Sequence, residues 1–549
     1  MMPTRVSVLI ASTALALALP SSGMRAQPSR PSLVVLIVVD QMRRDYIADY
    51  GARWTKGLRR LVDTGAVFTA AAYPYTTTLT CAGHATIATG TLPSTHGIIS
   101  NQWWDRKAQQ LVSCTADREA REVPYGSRQA GPGGSARLLQ APTLASVIGQ
   151  QGRVVTMSLK RAAAAMLAGS GRGDAVLWFQ GGGWSSSTAW APAAEKSLRR
   201  HAERHPIEDQ FGRIWDRAGR RSDYKHDDKG LGEKPPSEWD VEMPHALQPR
   251  DGRPTMFFYE AWQESPFSDA ALGRLAEAAV EGMKLGQGAA TDYLAVSFSA
   301  LDIVGHDFGP RSHEVQDVLM RLDQTIGRLL DQLDRRVGRE KYVVAFTADH
   351  GVAVIPEQAA ADGGDAGRIK MGDMMALVDK IAADKLGPGR RVATQAYSEF
   401  YFRGPVFDTI AADPDLLASI KTALEAFPGV DRVYDRREVP GLERSDDPVA
   451  RAVAAGFFPD RSGDLIVVPK ANWIFVSDDK TVVPGNATTH GTGWAYDTEV
   501  PLILLGAGIA PGRHAAPASP ADLAPTLARL AGVSLPTATG RVLEEALAR

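Results

Sequence analysis

The sequence predicts a doubly wound α/β protein with a mostly parallel central sheet, and three observations predict it. Several apolar runs are continuous rather than alternating, as in strands buried on both faces. Stretches with the helical period sit between them. Three of the runs lead into an acidic residue, and ligands of open α/β sheets bind just beyond the carboxyl ends of the strands.

Taken in chain order, Met1–Ala26 combines Arg5, the apolar stretch Val6–Leu19 and a zone of small residues, the pattern of a secretory signal peptide. Ala26 is a candidate cleavage point, although Met24 fits the cleavage pattern poorly, and an uncleaved anchor stays open as the alternative. Residues 27–549 are then the exported mature chain, periplasmic or secreted. No other segment approaches the ~20 apolar residues of a membrane helix, so no stable membrane insertion is expected after cleavage.

Leu33–Val39 (LVVLIVV), Tyr293–Ser299 (YLAVSFS), Tyr342–Thr347 (YVVAFT) and Val500–Leu505 (VPLILL) read as buried parallel strands, and Val154–Leu159 as a shorter one. Val315, Leu319, Leu322, Ile326, Leu329, Leu330 and Leu333 recur at spacings of three and four and predict one long amphipathic helix. Asp522–Leu530 predicts a short one, ended by Gly532. Residues 181–265 are rich in Trp, Gly, Pro and charge without a sustained period, and read as a loop-rich insertion over the sheet. Residues 395–480 carry strand and helix signals of their own (YSEFYF, DPDLLASIKTALEAF, VDRVYD, DLIVVP) and read as a small α/β subdomain inserted before the last candidate ligand.

Composition narrows the function. Hydrophobic residues are 44% of 549 and charged residues 23%, enough for a large core and against bulk disorder. A net charge of -2 argues against a nucleic-acid binder working through a broad basic field. Two cysteines exclude a disulfide scaffold and a Cys-rich zinc module. Whether Cys81 and Cys114 are bonded to each other stays open. A metal site must draw on Asp, Glu and the 11 His.

Asp40 follows the first strand, Asp302 follows YLAVSFSAL, and Asp349 and His350 follow YVVAFTA. Three carboxylates at neighbouring strand ends repel one another unless a cation holds them. His306 lies four residues after Asp302, a spacing that lets both reach one metal, and His490 sits in the Gly-rich loop TTHGTG. Nitrogen and oxygen ligands without thiolate suit zinc, and manganese or iron less well. Thr80, in YTTTLTCAGHATIAT, stands before a helical stretch, where backbone N–H groups favour anions. It is a candidate nucleophile, and the plain alternative is an ordinary helix cap.

These segments, VVDQ at Asp40, TCAGHATIATGTLPSTHGIISN from Thr80 to Asn101, DIVGH at Asp302/His306, TADHG at Asp349/His350 and THG at His490, occur in the order found in the alkaline phosphatase superfamily. The chain resembles its threonine-nucleophile branch, with periplasmic PafA-type phosphatases and nucleotide pyrophosphatase/phosphodiesterases, over about residues 33 to 535. The resemblance implies an alkaline phosphatase-type fold and two Zn2+ ions, one held by Asp302, His306 and His490, the other by Asp40, Asp349 and His350 with Thr80 beside it. It implies phosphate ester hydrolysis through a phosphothreonine at Thr80, with Asn101 donating to a phosphoryl oxygen. A phosphate-capturing binding protein is the reading from another class, and Thr80 beside six ligands speaks against it.

The choice between monoesters and diesters turns on positive charge. The PafA-like group resembles a K-x-R pattern after a strand; here the segment is SLKRAAAA, so Lys160 fits and Ala162 stands where the arginine is expected. Arg161, one residue early, is expected to point elsewhere. Lys160 favours small phosphate monoesters as substrates, and Ala162 leaves the phosphodiesterase alternative open.

Overall fold

The computed structural model describes Met1 and residues 30–126, 131–236, 238–248, 255–477 and 486–548. The signal-peptide segment therefore lies outside the described residues. Among those described, no helix is long and apolar enough to cross a membrane.

The main sheet has ten strands: β1 (Leu33–Val39), β2 (Ala66–Phe68), β3 (Glu122–Tyr125), β4 (Val154–Ser158), β5 (Ala175–Gln180), β6 (Gly183–Ser187), β7 (Asp292–Phe298), β8 (Tyr342–Thr347), β13 (Leu502–Gly506) and β14 (Gly512–His514). The order is β14–β2–β13–β8–β1–β7–β4–β5–β6–β3. The central five, β8, β1, β7, β4 and β5, are mutually parallel.

The segment expected as a fourth long parallel strand, Val500–Leu505, forms β13 instead antiparallel to β8, with Thr347 opposite Leu502. The chain reaches β13 from the His490 loop, which already lies at the carboxyl end of β8. It enters the sheet from that end and runs back, whereas a parallel strand needs a crossover from the far end. A continuous apolar run reports burial on both faces, not direction.

Both faces of β1 are covered, which explains its unbroken apolar sequence. Leu33, Val35 and Ile37 pack with Leu272 and Leu275 of α3 (Pro266–Gly282) and with Leu319, Leu322 and Ile326 of α5 (His313–Arg336). Val34, Leu36 and Val38 pack with Ile87 of α1 (Thr80–Thr89), Leu167 of α2 (Arg161–Ala168) and Leu523 and Leu527 of α7 (Leu523–Ala531). Helix α5 starts where the Ser312 hydroxyl accepts from Val315 N and ends with Arg335 and Arg336, both favourable to the helix dipole. Its apolar face is buried throughout, so Leu322→Ala is worth about 2–5 kcal/mol of stability.

Of residues 181–265, Gly183–Ser187 is a sheet strand, β6, antiparallel to both β5 and β3. Further along the insertion, Trp215 and Tyr224 anchor the chain on α5, where Trp215 Nε1 donates to Asp317 Oδ1 at 2.8 Å and the Tyr224 hydroxyl to Asp317 Oδ2 at 2.6 Å. A second sheet is built from β9 (Val392–Ala396), β10 (Glu399–Phe402), β11 (Val430–Asp435) and β12 (Leu465–Pro469), antiparallel in the order β9–β10–β12–β11. Helix α6 (Pro414–Glu425), capped by Asp413 on Leu416 N, buries Leu417, Ile420 and Leu424 against Phe400, Phe402 and Val467. The core of this sheet also takes in Ile369 and Met374, upstream of residue 395. Cys81 and Cys114 form a disulfide, with their Cα atoms 6.5 Å apart.

Candidate active site

Strand β1 lies between β7 and β8, so the segments that continue from the three strands emerge side by side. Asp40 comes directly off β1. Strand β7 leads into α4 (Ala300–Phe308), whose first turn carries Asp302 and whose next turn carries His306 on the same face. Strand β8 leads to Asp349 and His350. The loop bearing His490 closes over this group. Asp40, Asp302, Asp349, His350 and His490 are all nearly or fully buried.

Among the described residues, two clusters have ligand atoms close enough to share a cation: Asp302, His306 and His490, and Asp40, Asp302 and His350. The second includes Asp302 where Asp349 was expected, because the Asp302 carboxylate stands between the two groups. Asp349 is nonetheless in contact, its Oδ2 lying 3.2 Å from His350 Nε2.

The histidines share one orientation. His306 Nδ1 is 2.9 Å from Thr488 O, His350 Nδ1 is 3.0 Å from Gly351 O, and His490 Nδ1 is 2.8 Å from Thr78 O. A carbonyl only accepts, so each Nδ1 carries a proton, and each ring when neutral turns its Nε2 lone pair inward. Those Nε2 atoms face carboxylate oxygens: His306 and His490 each 3.5 Å from Asp302 Oδ1, and His350 3.5 Å from Asp40 Oδ1. Lone pairs facing anions repel unless a cation or a proton lies between them, and backbone-tied histidines are the usual support of metal ligands. Among the described residues, no hydrogen bond of normal geometry reaches either oxygen of Asp40 or Oδ2 of Asp349, although Lys160 forms an ion pair with Asp40 Oδ2. The donor set thus fits metal ions.

The electrostatics agree. Burial, then Asp302 and Asp349, push the Asp40 carboxyl well above its ordinary range. Asp302 is raised by burial too, but Lys160 and His306 outweigh that and hold it well below. Burial pushes His350 down to about 3 and lowers His306 as well, which keeps these rings neutral. Burial would also lower His490, but Asp302 outweighs it and raises it.

Thr80 is the first residue of α1, after Leu79 in extended conformation, and its Oγ1 lies 3.5 Å from His350 Nε2. Helix α1 runs against the β8 turn so closely that a Cβ on Gly83 would stand 2.2 Å from Asp349 O. Asn101 accepts a hydrogen bond from Cys81 N at 2.9 Å through Oδ1, which leaves its Nδ2 as the donor end beside Thr80. Lys160, at the start of α2, sends its ammonium between two carboxylates, 2.8 Å from Asp40 Oδ2 and in a hydrogen bond with Asp302. Arg161 turns away to the carbonyls of Pro132 and Gly133, and Ala162 packs against the apolar cluster around Cys81.

Two residues of this site lie inside the VVDQ and TCAGH segments, but their roles are not legible in the sequence. Gln41 has a left-handed φ of 67°, and from there its backbone N donates to Asp349 Oδ1 at 3.2 Å and its Nε2 to Asp302 Oδ1 at 3.0 Å. One residue thereby braces two strand ends. Helix α4 makes room for it at Gly305, where a Cβ would meet Gln41 Oε1 at 2.0 Å. His84, fully buried, sits 2.8 Å from both Thr80 O and Ser297 Oγ and 3.2 Å from Asp349 Oδ2. The available signals were adjacency to Asp40 and a histidine one turn after Thr80.

The chain matches the family described as type I phosphodiesterase / nucleotide pyrophosphatase over residues 34–494. It is 30% identical over 540 residues to alkaline phosphatase PafA of Elizabethkingia meningoseptica, covering 95% of each chain. It is 29% identical over 542 residues to alkaline phosphatase PhoK of a Sphingomonas species, covering 92% of this chain and 89% of the other. The fold superimposes on the crystal structure of wild-type alkaline phosphatase PafA with a TM-score of 0.85 at 28% identity, covering 95% of this chain and 100% of that one. The chain therefore belongs to the type I phosphodiesterase/nucleotide pyrophosphatase family of phosphoric ester hydrolases, within the alkaline phosphatase superfamily.

Proposed function

We propose that the protein is an exported, zinc-dependent phosphate monoester hydrolase that works through a phosphothreonine at Thr80. The observation that carries this reading is the set of three histidines whose backbone-tied rings turn Nε2 toward buried carboxylates beside a helix-terminal hydroxyl. Asp302, His306 and His490 would hold one Zn2+, and Asp40, Asp349 and His350 the other. Bound there, the ions would supply Lewis-acid stabilisation of the charge that develops during phosphoryl transfer.

Thr80 Oγ1 attacks phosphorus as the bond to the ester oxygen breaks, and the alcohol leaves. Water then attacks phosphorus, releasing inorganic phosphate and restoring the hydroxyl. The N-terminus of α1 presents the positive end of the helix dipole to the phosphoryl group. Asn101, held through its Oδ1 by Cys81 N, donates Nδ2 to a non-bridging oxygen. Lys160 supplies positive charge, and a monoester carries more negative charge there than a diester. The names of PafA and PhoK as alkaline phosphatases favour the same reaction.

Residues 27–549 act as one catalytic unit, with 181–265 and 395–480 as insertions. Export is supported by the N-terminal pattern and by the Cys81–Cys114 disulfide, which persists in oxidising compartments. Small phosphate esters, not nucleic acid, are the substrates. Ala162, which brings no second cation to the site, favours phosphodiester hydrolysis as the second reading. The test is kcat/KM for an aryl phosphate against its bis-aryl diester on zinc-loaded protein. A higher value for the monoester is expected, and outright preference for the diester gives the assignment to the second reading.

A further inference from the structure

The turn joining β9 and β10 is a two-residue hairpin, with Ala396 opposite Glu399 and Tyr397-Ser398 between them. Tyr397 has a φ of 52°. Hairpin turns of this length favour Gly, Asn or Asp at left-handed positions, and a side chain with a Cβ there is strained. The conformation is fixed from within the subdomain, where the buried Gln395 donates Nε2 to Tyr397 O at 2.9 Å.

The ring of this strained residue lies against the loop that carries His490. A Cβ on Gly491, next to His490, would touch Tyr397 Cδ1 at 3.7 Å. Asp302 and Lys160, the charged pair at the centre of the site, both act electrostatically on the phenol. A tyrosine hydroxyl is protonated at neutral pH and can donate. Among the described residues none hydrogen-bonds that hydroxyl, in contrast to Tyr73, bonded to Ala348 O, and Tyr75, bonded to Thr86. Strained backbone held by its surroundings is characteristic of sites where a side chain is aimed for function.

We propose that Tyr397 is a substrate-contacting residue contributed by the inserted subdomain, its hydroxyl donating a hydrogen bond to a phosphoryl oxygen of the ester held at Thr80. The inference rests on the phosphate ester reading above. A neutral donor responds less to phosphoryl charge than an ammonium does, so Tyr397 assists monoesters and diesters alike, unlike Lys160.

The test is Tyr397→Phe, which keeps the ring, its packing and the backbone. Two quantities are measured on zinc-loaded wild type and variant: kcat/KM for an aryl phosphate and for its diester, and the affinity for inorganic phosphate by calorimetry. The expected result is a drop of about two- to tenfold in both kcat/KM values, the range one neutral hydrogen bond supplies. Phosphate affinity should weaken by a similar factor with the melting temperature unchanged. Equal kcat/KM and equal phosphate affinity in the two proteins overturn the proposal and leave Tyr397 a packing residue. If the wild type hydrolyses neither ester, the phosphatase reading fails on its own, and the phosphate affinities still decide the role of Tyr397: weaker in the variant supports it, equal or absent in both overturns it.

Discussion

The Lys160 ammonium lies 2.8 Å from Asp40 Oδ2 while also bonded to Asp302, so one cation serves carboxylates from two separate strand ends. Asp40 and Asp302 share this lysine, and with Asp349 beside them the remaining negative charge calls for metal cations. Replacing Lys160 with Ala should lower monoester kcat/KM by roughly ten- to a hundredfold, since a hydrogen bond to a charged group contributes ~1.5–3 kcal/mol. Diester hydrolysis should fall much less. Ala162→Arg should raise monoester activity selectively. Equal losses on both substrates in Lys160→Ala, at unchanged zinc content, would mean that the lysine organises the carboxylates and does not discriminate phosphoryl charge.

Thr80 combines a helix N-terminus with a position 3.5 Å from His350 Nε2. Thr80→Ala should reduce turnover by roughly 10³-fold or more, with fold and metal content retained. Thr80→Ser keeps the hydroxyl and should retain part of the activity. Acid-quenching a reaction with labelled substrate and mapping the phosphopeptide checks the assignment, and label on another residue would remove Thr80 from the role.

The inward Nε2 atoms of His306, His350 and His490 call for cations. Metal analysis of gently purified protein should find two zinc ions per chain. Dialysis against a strong chelator should abolish activity, and zinc should restore it. The stripped protein should also melt lower, because metal at a hundred to a thousand times its Kd stabilises the native state by about 3–4 kcal/mol. Activity persisting in chelator would sink the two-metal mechanism.

The positions of Asp40, Asp302 and Asp349 at neighbouring strand ends were legible, because an apolar run that stops at an acid marks both the strand and its terminus. The direction of β13 was not, since it depends on where the His490 loop delivers the chain. The contacts of Gln41 with Asp302 and Asp349 span 261 and 308 residues, and no local pattern carries such pairings. The second sheet's core reaches back to Ile369 because that residue belongs to the short strand Gly367–Lys370, which pairs with Trp473–Val476, over a hundred residues away. Tyr397 reads in sequence as part of a strand, and its turn geometry appears only once β9 and β10 are paired.

Asp269 of α3 supports the site from behind, and its ionisation should leave a mark on stability. Its Oδ1 accepts from Ser299 N at 3.1 Å and from Ala300 N at 3.3 Å, the amides that open the helix carrying Asp302 and His306. Burial raises its carboxyl from 3.8 to about 7, against the pull of those two amides. A carboxyl raised in the folded state holds a proton that the unfolded chain has already released. The native protein therefore binds more protons than the unfolded one between about pH 4 and 7, and stability falls as pH rises through that window. The cost is fully present above pH 7 and is on the order of a few kcal/mol. Asp269→Asn keeps an oxygen for the two amides and cannot ionise, so it should lack this slope. Denaturation midpoints of wild type and variant, both stripped of metal, should agree near pH 4 and separate towards pH 8 with the variant the more stable. Parallel curves across that range would show that the Asp269 carboxyl is not raised by burial in the native protein.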